Sequence, residues 1–309
     1  MTVRVSGSVT ARVPASTANL GSGYDSFGLA LALYDDFEAW PADSWSVEVD
    51  GEGAGSLSTG PRNRVAQAMA AAFAAAGDAG RAARIRCENG VPTGRGLGSS
   101  SAAIVGGLVL ADGLLGGALG EERLFELAVE LEGHPDNVAA ALFGGFTVCW
   151  DDGEPKAARL QPGGGLAVVA VVSERPLSTA SARKLLPEDV PHSDAAFNVG
   201  RAGLLVAGIT LGRPDLTGPG LGDRLHEPYR AGAVPDFDAV CDVLIDAGAD
   251  GAALSGAGPT VVGFVQEPDD DAAFARAEEI ASLVVARSLP GRRAPLALRV
   301  DREGARLLA

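Results

Sequence analysis

The chain has 309 residues, 25 of them basic and 40 acidic, for a formal net charge of −15. That balance excludes a protein that grips nucleic acid or an anionic membrane through a basic face. With 47% hydrophobic residues the chain is not disordered as a whole, and the length suits two domains or one large one.

No run of about 20 residues is apolar enough to cross a bilayer, so no membrane span is expected. Residues 1–7 carry no apolar core of a secretion signal. Cys87, Cys149 and Cys241 stand far apart and read as small buried hydrophobes, not a disulfide framework. His134, His192 and His226 are too scattered for a sequence-local zinc motif. A reduced, cytoplasmic protein is expected. Only Lys156 and Lys184 are lysines, and alanine and glycine abound, as a GC-rich genome would produce. The acidity also matches adaptation to a salty cytoplasm, and charge alone does not separate the two.

Residues 3–13 alternate apolar and polar and predict a strand ended by Pro14. Residues 27–40 and 45–49 predict two more strands. Residues 63–76 are alanine-rich and helical, 82–87 alternate again, and a glycine-rich turn leads into a helix over 99–115. A helix over 121–132 puts Leu124, Leu127, Ala128 and Leu131 on one face. A short helix over 135–142, with Pro135 acceptable in its first turn, and a strand over 146–150 close the first half. The polar, glycine-rich stretch 151–165 is the best boundary. Beyond it, 166–172 reads as a buried strand, 181–186 and 195–210 as helices, 212–222 as a loop and 236–247 as a helix. Strands over 252–254 and 261–265 flank a glycine turn, and a helix over 270–286 precedes a final strand over 296–300. The sum is an α+β chain of two halves.

The most informative segment is GVPTGRGLGSSSAA, residues 90–103. Gly94, Gly96 and Gly98 let the backbone bend tightly and approach a ligand closely. A strand precedes this loop and a helix follows. A helix start offers unpaired N–H groups and a partial positive charge, which suit phosphate. Ser99, Ser100 and Ser101 add hydroxyls, one of which could reach Mg²⁺. The loop is neither a Walker A sequence nor GxGxxG. A serine-capped glycine turn without a ligand is the plain alternative. GEGAGS, residues 51–56, also has spaced glycines, but it carries Glu52 and no helix follows at once, so it reads as a hairpin loop.

Two further segments bear on this loop: PASTANLGSGYDSFG at residues 14–28, and the glycine turn LSGAGPT at 254–260. Together the three resemble the GHMP kinase family, whose phosphate loop has the form PxxxGLGSSA. One branch of that family opens with PATSANLGxGFDxxG. Residues 14–28 match it, with Ser16 and Thr17 reversed and Tyr24 in place of Phe. HPDN at 134–137, TASAR at 179–183 and EPYR at 227–230 extend the likeness in order along the chain.

The resemblance implies a two-domain α+β fold, with an N-terminal domain like ribosomal protein S5 domain 2 over 1–155 and a ferredoxin-like domain over 156–309. It implies ATP and Mg²⁺, and transfer of a phosphoryl group to the side-chain hydroxyl of L-homoserine, a step toward threonine. Pro92, Gly94, Arg95, Gly96, Leu97, Gly98, Ser99, Ser100 and Ser101 would wrap the phosphates, with Asn63 near the nucleoside. Ser100 and Glu126, eleven residues before Asn137, would hold the metal; Glu130 is the rival to Glu126. Arg183 and Arg230 would grip the substrate carboxylate. Asn19, Asp25, His134, Asn137 and Thr179 would line the same pocket. Relatives such as mevalonate kinase place an aspartate where this chain has Asn137, and a neutral amide takes no proton at pH 7. Asp25 and Asn137 are therefore the catalytic candidates, Asp25 as the hydroxyl anchor, with any base left open. A homodimer is expected from the family. The alternatives are another small alcohol (L-threonine, mevalonate or shikimate) as acceptor, or a non-catalytic sensor on the same fold.

Overall fold

The structure is a computed structural model that describes residues 7–234, 236–287 and 289–308. The opening of the expected first strand, residues 3–6, lies outside them. The first half of the chain runs β1 (Val9–Ala18), β2 (Phe27–Ala42), β3 (Ser46–Gly51), α1 (Arg64–Ala75), β4 (Ala82–Asn89), α2 (Ser99–Leu114), α3 (Gly120–Glu132), α4 (Asp136–Phe143), β5 (Phe146–Asp151) and β6 (Pro155–Leu160). The second runs β7 (Gly165–Val171), α5 (Thr179–Arg183), α6 (His192–Leu211), α7 (Pro214–Gly220), α8 (Glu227–Arg230), α9 (Phe237–Asp246), β8 (Gly251–Leu254), β9 (Val261–Glu267), α10 (Asp270–Ala286), β10 (Leu296–Arg299) and β11 (Arg306–Leu308). Among the described residues no helix is long and apolar enough to cross a membrane.

Seven strands form the first sheet, in the order β11-β1-β2-β4-β3, with β5 on the inner end of β2 and β6 on β5. The second sheet has the order β10-β7-β9-β8. Pro14 does not end β1. The strand runs on to Ala18, and its register against β2 slips between Pro14 and Ala15, a bulge that tolerates a residue without an N–H. β3 pairs with β4 in parallel. A parallel pair needs a crossover, which α1 supplies, so residues 51–56 open that crossover and are not a hairpin loop. The stretch 151–165 is not a bare boundary either: β6 occupies its middle and pairs antiparallel with β5. β11 then returns from the far end of the chain to the edge of β1. The stretch expected as a loop over 212–222 holds α7, with Pro214 in its first turn.

Three packed clusters follow from strand alternation. Val13, Phe37, Ile85 and Cys87 turn to one face of the first sheet and pack under α1 to α4. Ala15, Leu29 and Leu31 turn to the other face and meet Leu166, Val168 and Phe264 of the second sheet, which joins the two lobes. Val169, Val171 and Val261 pack under α9 and α10. α2 is buried along most of its length. Gly106 and Gly107 make that possible, because a Cβ would sit 2.3 Å from the Phe37 ring and 2.4 Å from the Val65 carbonyl oxygen. Each glycine costs about 1 kcal/mol of helix propensity against alanine, which the close packing of α1 and β2 offsets.

Candidate active site

Residues 90–98 link β4 to α2, and Gly94, Gly96 and Gly98 have φ of +64°, +86° and +72°. Only glycine adopts that region freely. Space demands glycine as well: a Cβ would meet the Ser255 carbonyl oxygen at 2.5 Å from Gly96, and Ser16 Oγ at 2.1 Å from Gly98. The loop's carbonyl groups are held by the chain itself. Leu97 O accepts from the Ser16 amide (3.1 Å), Gly96 O from Ser255 Oγ (2.6 Å) and Gly94 O from the Leu177 amide (3.1 Å). The first amides of α2 have no acceptor within the helix and open on the cavity described next.

Two cavities meet at this loop. One is lined by Asn19, Asp25, His134, Asn137, Thr179, Arg183 and Arg230, all seven residues expected at the acceptor, together with Gly94, Gly96, Gly98 and Ser99 to Ser101. The other is lined by Asn63, Asp35, Phe37, Cys87 and Asn89. Gly94, Ser99 and Ser100 line both, so the loop is the wall between them. Asn63 also caps α1: its Oδ1 accepts from the Val65 amide at 2.9 Å and its Nδ2 donates to Ser58 O at 2.8 Å. Such a cap contributes about 1 kcal/mol to the helix.

Three expected loop contacts turn away from both cavities. Leu97 is fully buried between the lobes, and Pro92 is buried beside it. The Arg95 guanidinium donates to the carbonyl groups of Ser173 (2.9 Å), Thr93 (2.7 Å) and Glu174 (2.8 Å), so it fastens the loop to the second lobe and does not face a phosphate.

Glu126, which the resemblance implies at the metal, lines neither cavity. It pairs with Arg123 at 2.6 Å on the outside of α3, and exposed Glu130 shares that arginine. Glu132 is the carboxylate at the loop: it accepts from Ser100 Oγ and Ser101 Oγ, both at 2.8 Å. Glu126 stands six positions before Glu132, about 9 Å along a helix axis. The readable signal was Gly133, which ends α3 with φ of +86° and leaves Glu132 at the tip beside His134.

The acceptor cavity is built from strained and buried polar groups. Asn19, Leu20 and Asp25 have positive φ, costly for residues with a Cβ. The Asn19 side chain holds that bend: Oδ1 accepts from the Asp25 amide (2.9 Å) and Nδ2 donates to Gly256 O (2.7 Å). Asn19 thus supports the wall more than it offers a free group. Asp25 takes two parallel hydrogen bonds from Arg183, at 2.7 and 2.8 Å, and Arg183 also donates to the Tyr24 hydroxyl at 3.0 Å.

Arg230 is 2% exposed. Its Nη1 donates to His226 Nδ1 (3.0 Å) and Gly256 O (3.2 Å), and its buried Nε has no acceptor. Among the described residues no carboxylate forms an ion pair with it. Burial lowers its pKa. His226 is neutral, since burial pulls its pKa down to about 4. Its Nε2–H donates to Gly21 O at 2.8 Å, which leaves Nδ1 as the acceptor for Arg230. Asp223 fixes the start of α8 by accepting from the amides of His226 and Glu227, each at 2.8 Å.

Asn137 Oδ1 accepts from Ser16 Oγ at 2.9 Å, so its amide group is left toward Gly256. His134 pairs with Asp136 at 2.7 Å. Burial alone would lower the His134 pKa, but the Asp136 hydrogen bond and the nearby carboxylates outweigh it and raise it above the usual value. Asp136 lines the cavity too. Sequence reasoning also missed Ser16, Tyr24 and Glu132 as site residues.

Comparison with known proteins places these features. The family model described as GHMP kinases N terminal domain matches residues 63–145, and that described as GHMP kinases C terminal matches 205–279. The homoserine kinase of Streptomyces avermitilis is 46% identical, over 85% of this chain and 87% of that protein. That of Leifsonia xyli subsp. xyli is 42% identical, over 98% and 93%. The crystal structure of homoserine kinase from Cytophaga hutchinsonii superposes with a TM-score of 0.85 at 26% identity, covering 100% of this chain and 99% of that one.

Proposed function

The chain belongs to the GHMP kinase family, and on that premise we propose that it transfers the γ-phosphoryl group of ATP to the side-chain hydroxyl of L-homoserine. It is a phosphotransferase with an alcohol acceptor. The observation that carries the choice of acceptor is Arg230: a buried guanidinium with an unpaired Nε and no carboxylate partner, on the wall of a cavity that touches the phosphate loop. A buried cation is costly unless an anion meets it. The α-carboxylate of an amino acid supplies that anion with matching planar geometry. Arg183 lines the same cavity, with Nη1 and Nη2 donating to Asp25 and Tyr24.

Asp25 and Asn137 then flank the substrate hydroxyl. In the reaction the hydroxyl oxygen bonds to the γ-phosphorus, the bond from that phosphorus to the β–γ bridging oxygen breaks, and ADP leaves. The hydroxyl proton passes late to an oxygen of the transferred phosphoryl group and from there to solvent. Both oxygens of Asp25 are engaged by Arg183, which supports Asp25 as a holding group ahead of a strong base. A loose transition state needs little base, because the proton leaves late and positioning carries the rate. Asn137, turned by Ser16, offers N–H donors to the same region. The first amides of α2 would donate to the phosphoryl oxygens of a nucleotide bound at the loop.

Glu132 and Ser100 form a carboxylate and hydroxyl pair at the helix start, hard oxygen donors that fit Mg²⁺. The metal, when bound, offsets the charge of the β- and γ-phosphates. The unpaired cysteines fit a reducing cytoplasm.

A coupled assay of ADP release over L-homoserine, L-threonine, mevalonate and shikimate tests the reading. Turnover is expected to be fastest with L-homoserine. Turnover with another alcohol and none with L-homoserine overturns the acceptor, and ATP binding with no ADP formed from any of them favours a sensor.

A further inference from the structure

The second cavity has a floor made of two register pairs. Asp35 on β2 lies directly opposite Asn89 on β4, and Phe37 lies opposite Cys87. Directly opposed residues in an antiparallel pair project to the same face, and all four line this cavity. Phe37 and Cys87 give it an apolar side. Asp35 and Asn89 give it a polar end.

Asn89 is held rigidly. Its Nδ2 donates to Glu52 O at 3.0 Å, and its carbonyl oxygen accepts from the Glu52 amide at 2.9 Å. Gly51, with φ of +78°, lies so close that a Cβ would be 2.2 Å from that carbonyl oxygen. The side-chain Oδ1 is buried and has no donor. It cannot exchange places with Nδ2, because Glu52 O accepts only. Asp35 opposite accepts from the Val91 amide at 2.8 Å and makes no hydrogen bond to Asn89 Oδ1. Asn63, the residue the motifs place here, has spent both ends of its side chain on the α1 cap and Ser58. A buried amide oxygen without a partner carries a desolvation cost that a ligand donor removes.

We propose that Asn89 is a specificity-determining residue for the phosphate donor, its Oδ1 accepting a hydrogen bond from the exocyclic amino group of the nucleobase. The 6-amino group of adenine is such a donor, and a purine without it leaves the oxygen unpaired. This rests on the reading of the 90–98 loop as the site of the nucleotide's phosphates, which puts the base in the adjoining cavity.

The test is calorimetric titration of ADP and of purine riboside 5′-diphosphate, which differs only in lacking the amino group. Both are titrated into the wild-type protein and into Asn89→Ala and Asn89→Asp. The wild-type protein is expected to bind ADP about tenfold tighter than the analogue. In Asn89→Ala the two affinities are expected to converge, through loss on the ADP side. Asn89→Asp keeps an acceptor oxygen but drops the bond to Glu52 O, and it is expected to retain the preference. A ratio of affinities cancels any general loosening of the fold. An unchanged preference in Asn89→Ala overturns the proposal. So does a preference lost equally in both variants, which would make Asn89 a tether for residues 51–56. No acceptor alcohol enters this experiment, so a wrong acceptor leaves it standing. Failure of both nucleotides to bind the wild-type protein would sink the nucleotide reading of the loop, and this proposal with it.

Discussion

The two cavities on either side of the phosphate loop are built in different ways. The nucleoside side comes from one lobe, between Asp35 and Ala103, and its floor is two cross-strand pairs of a single sheet. The acceptor side draws on Asn19 and Asp25 from the first lobe, and on Thr179, Arg183, Arg230 and Gly256 from the second. A sheet register fixes the first shape almost by itself. The second depends on how the lobes are held, and Arg95, Ser255 and the Asn19 to Gly256 bond hold them at this point. Donor binding should therefore survive changes that disable the acceptor side.

The sharpest way to break that contrast is Arg230→Met. Loss of the buried guanidinium is expected to lower kcat/KM for L-homoserine about 1000-fold, with the calorimetric affinity for ADP unchanged. A parallel loss of ADP affinity would show that the cavities are not separable. Asp25→Asn comes next: kcat is expected to fall about 100-fold while ADP affinity holds, and an unaltered kcat removes Asp25 from the chemistry.

Glu132 lines the first cavity and accepts from Ser100 of the shared wall. Glu132→Gln is expected to raise the Mg²⁺ concentration for half-maximal rate about 30-fold, whereas Glu126→Gln changes nothing. The reverse result would restore Glu126, the residue that the resemblance implies.

The smallest effect concerns pH and the nucleoside floor alone. Burial pushes the Asp35 pKa up from 3.8 to about 7. Between those values the folded chain keeps a proton that the unfolded chain releases, so this group makes stability fall as pH rises through that window. Asp35→Asn is expected to flatten the slope of melting temperature against pH there and leave acceptor KM alone. An unchanged slope would mean that Asp35 does not titrate in this range.

The glycine loop, the opening motif and the HPDN segment were legible because each acts within a few residues of itself. Gly98 must be glycine for its own φ and for Ser16 beside it, and a local pattern carries that. Glu132 was not legible from the family match, which points to Glu126 six positions earlier on α3 and does not register where α3 stops. Arg95 and Leu97 sit inside the motif yet turn to the second lobe and the core, because a loop of nine residues has two sides. Asn89 was beyond reach for another reason: its place depends on which residue of β2 stands opposite. The elements missed within 151–165 and 212–222 are short, and glycine and proline there speak for turns before they speak for β6 or α7.

The return of β11 to the edge of β1 changes what the second lobe is. It is an insert, stitched to its host at both ends, and not a tail hung from a hinge. A protease cut in the exposed turn at 152–154 would leave two pieces that still clasp one another, since the last strand of one lies in the sheet of the other. The same turn is a place where new chain ends could be opened without parting the two lobes.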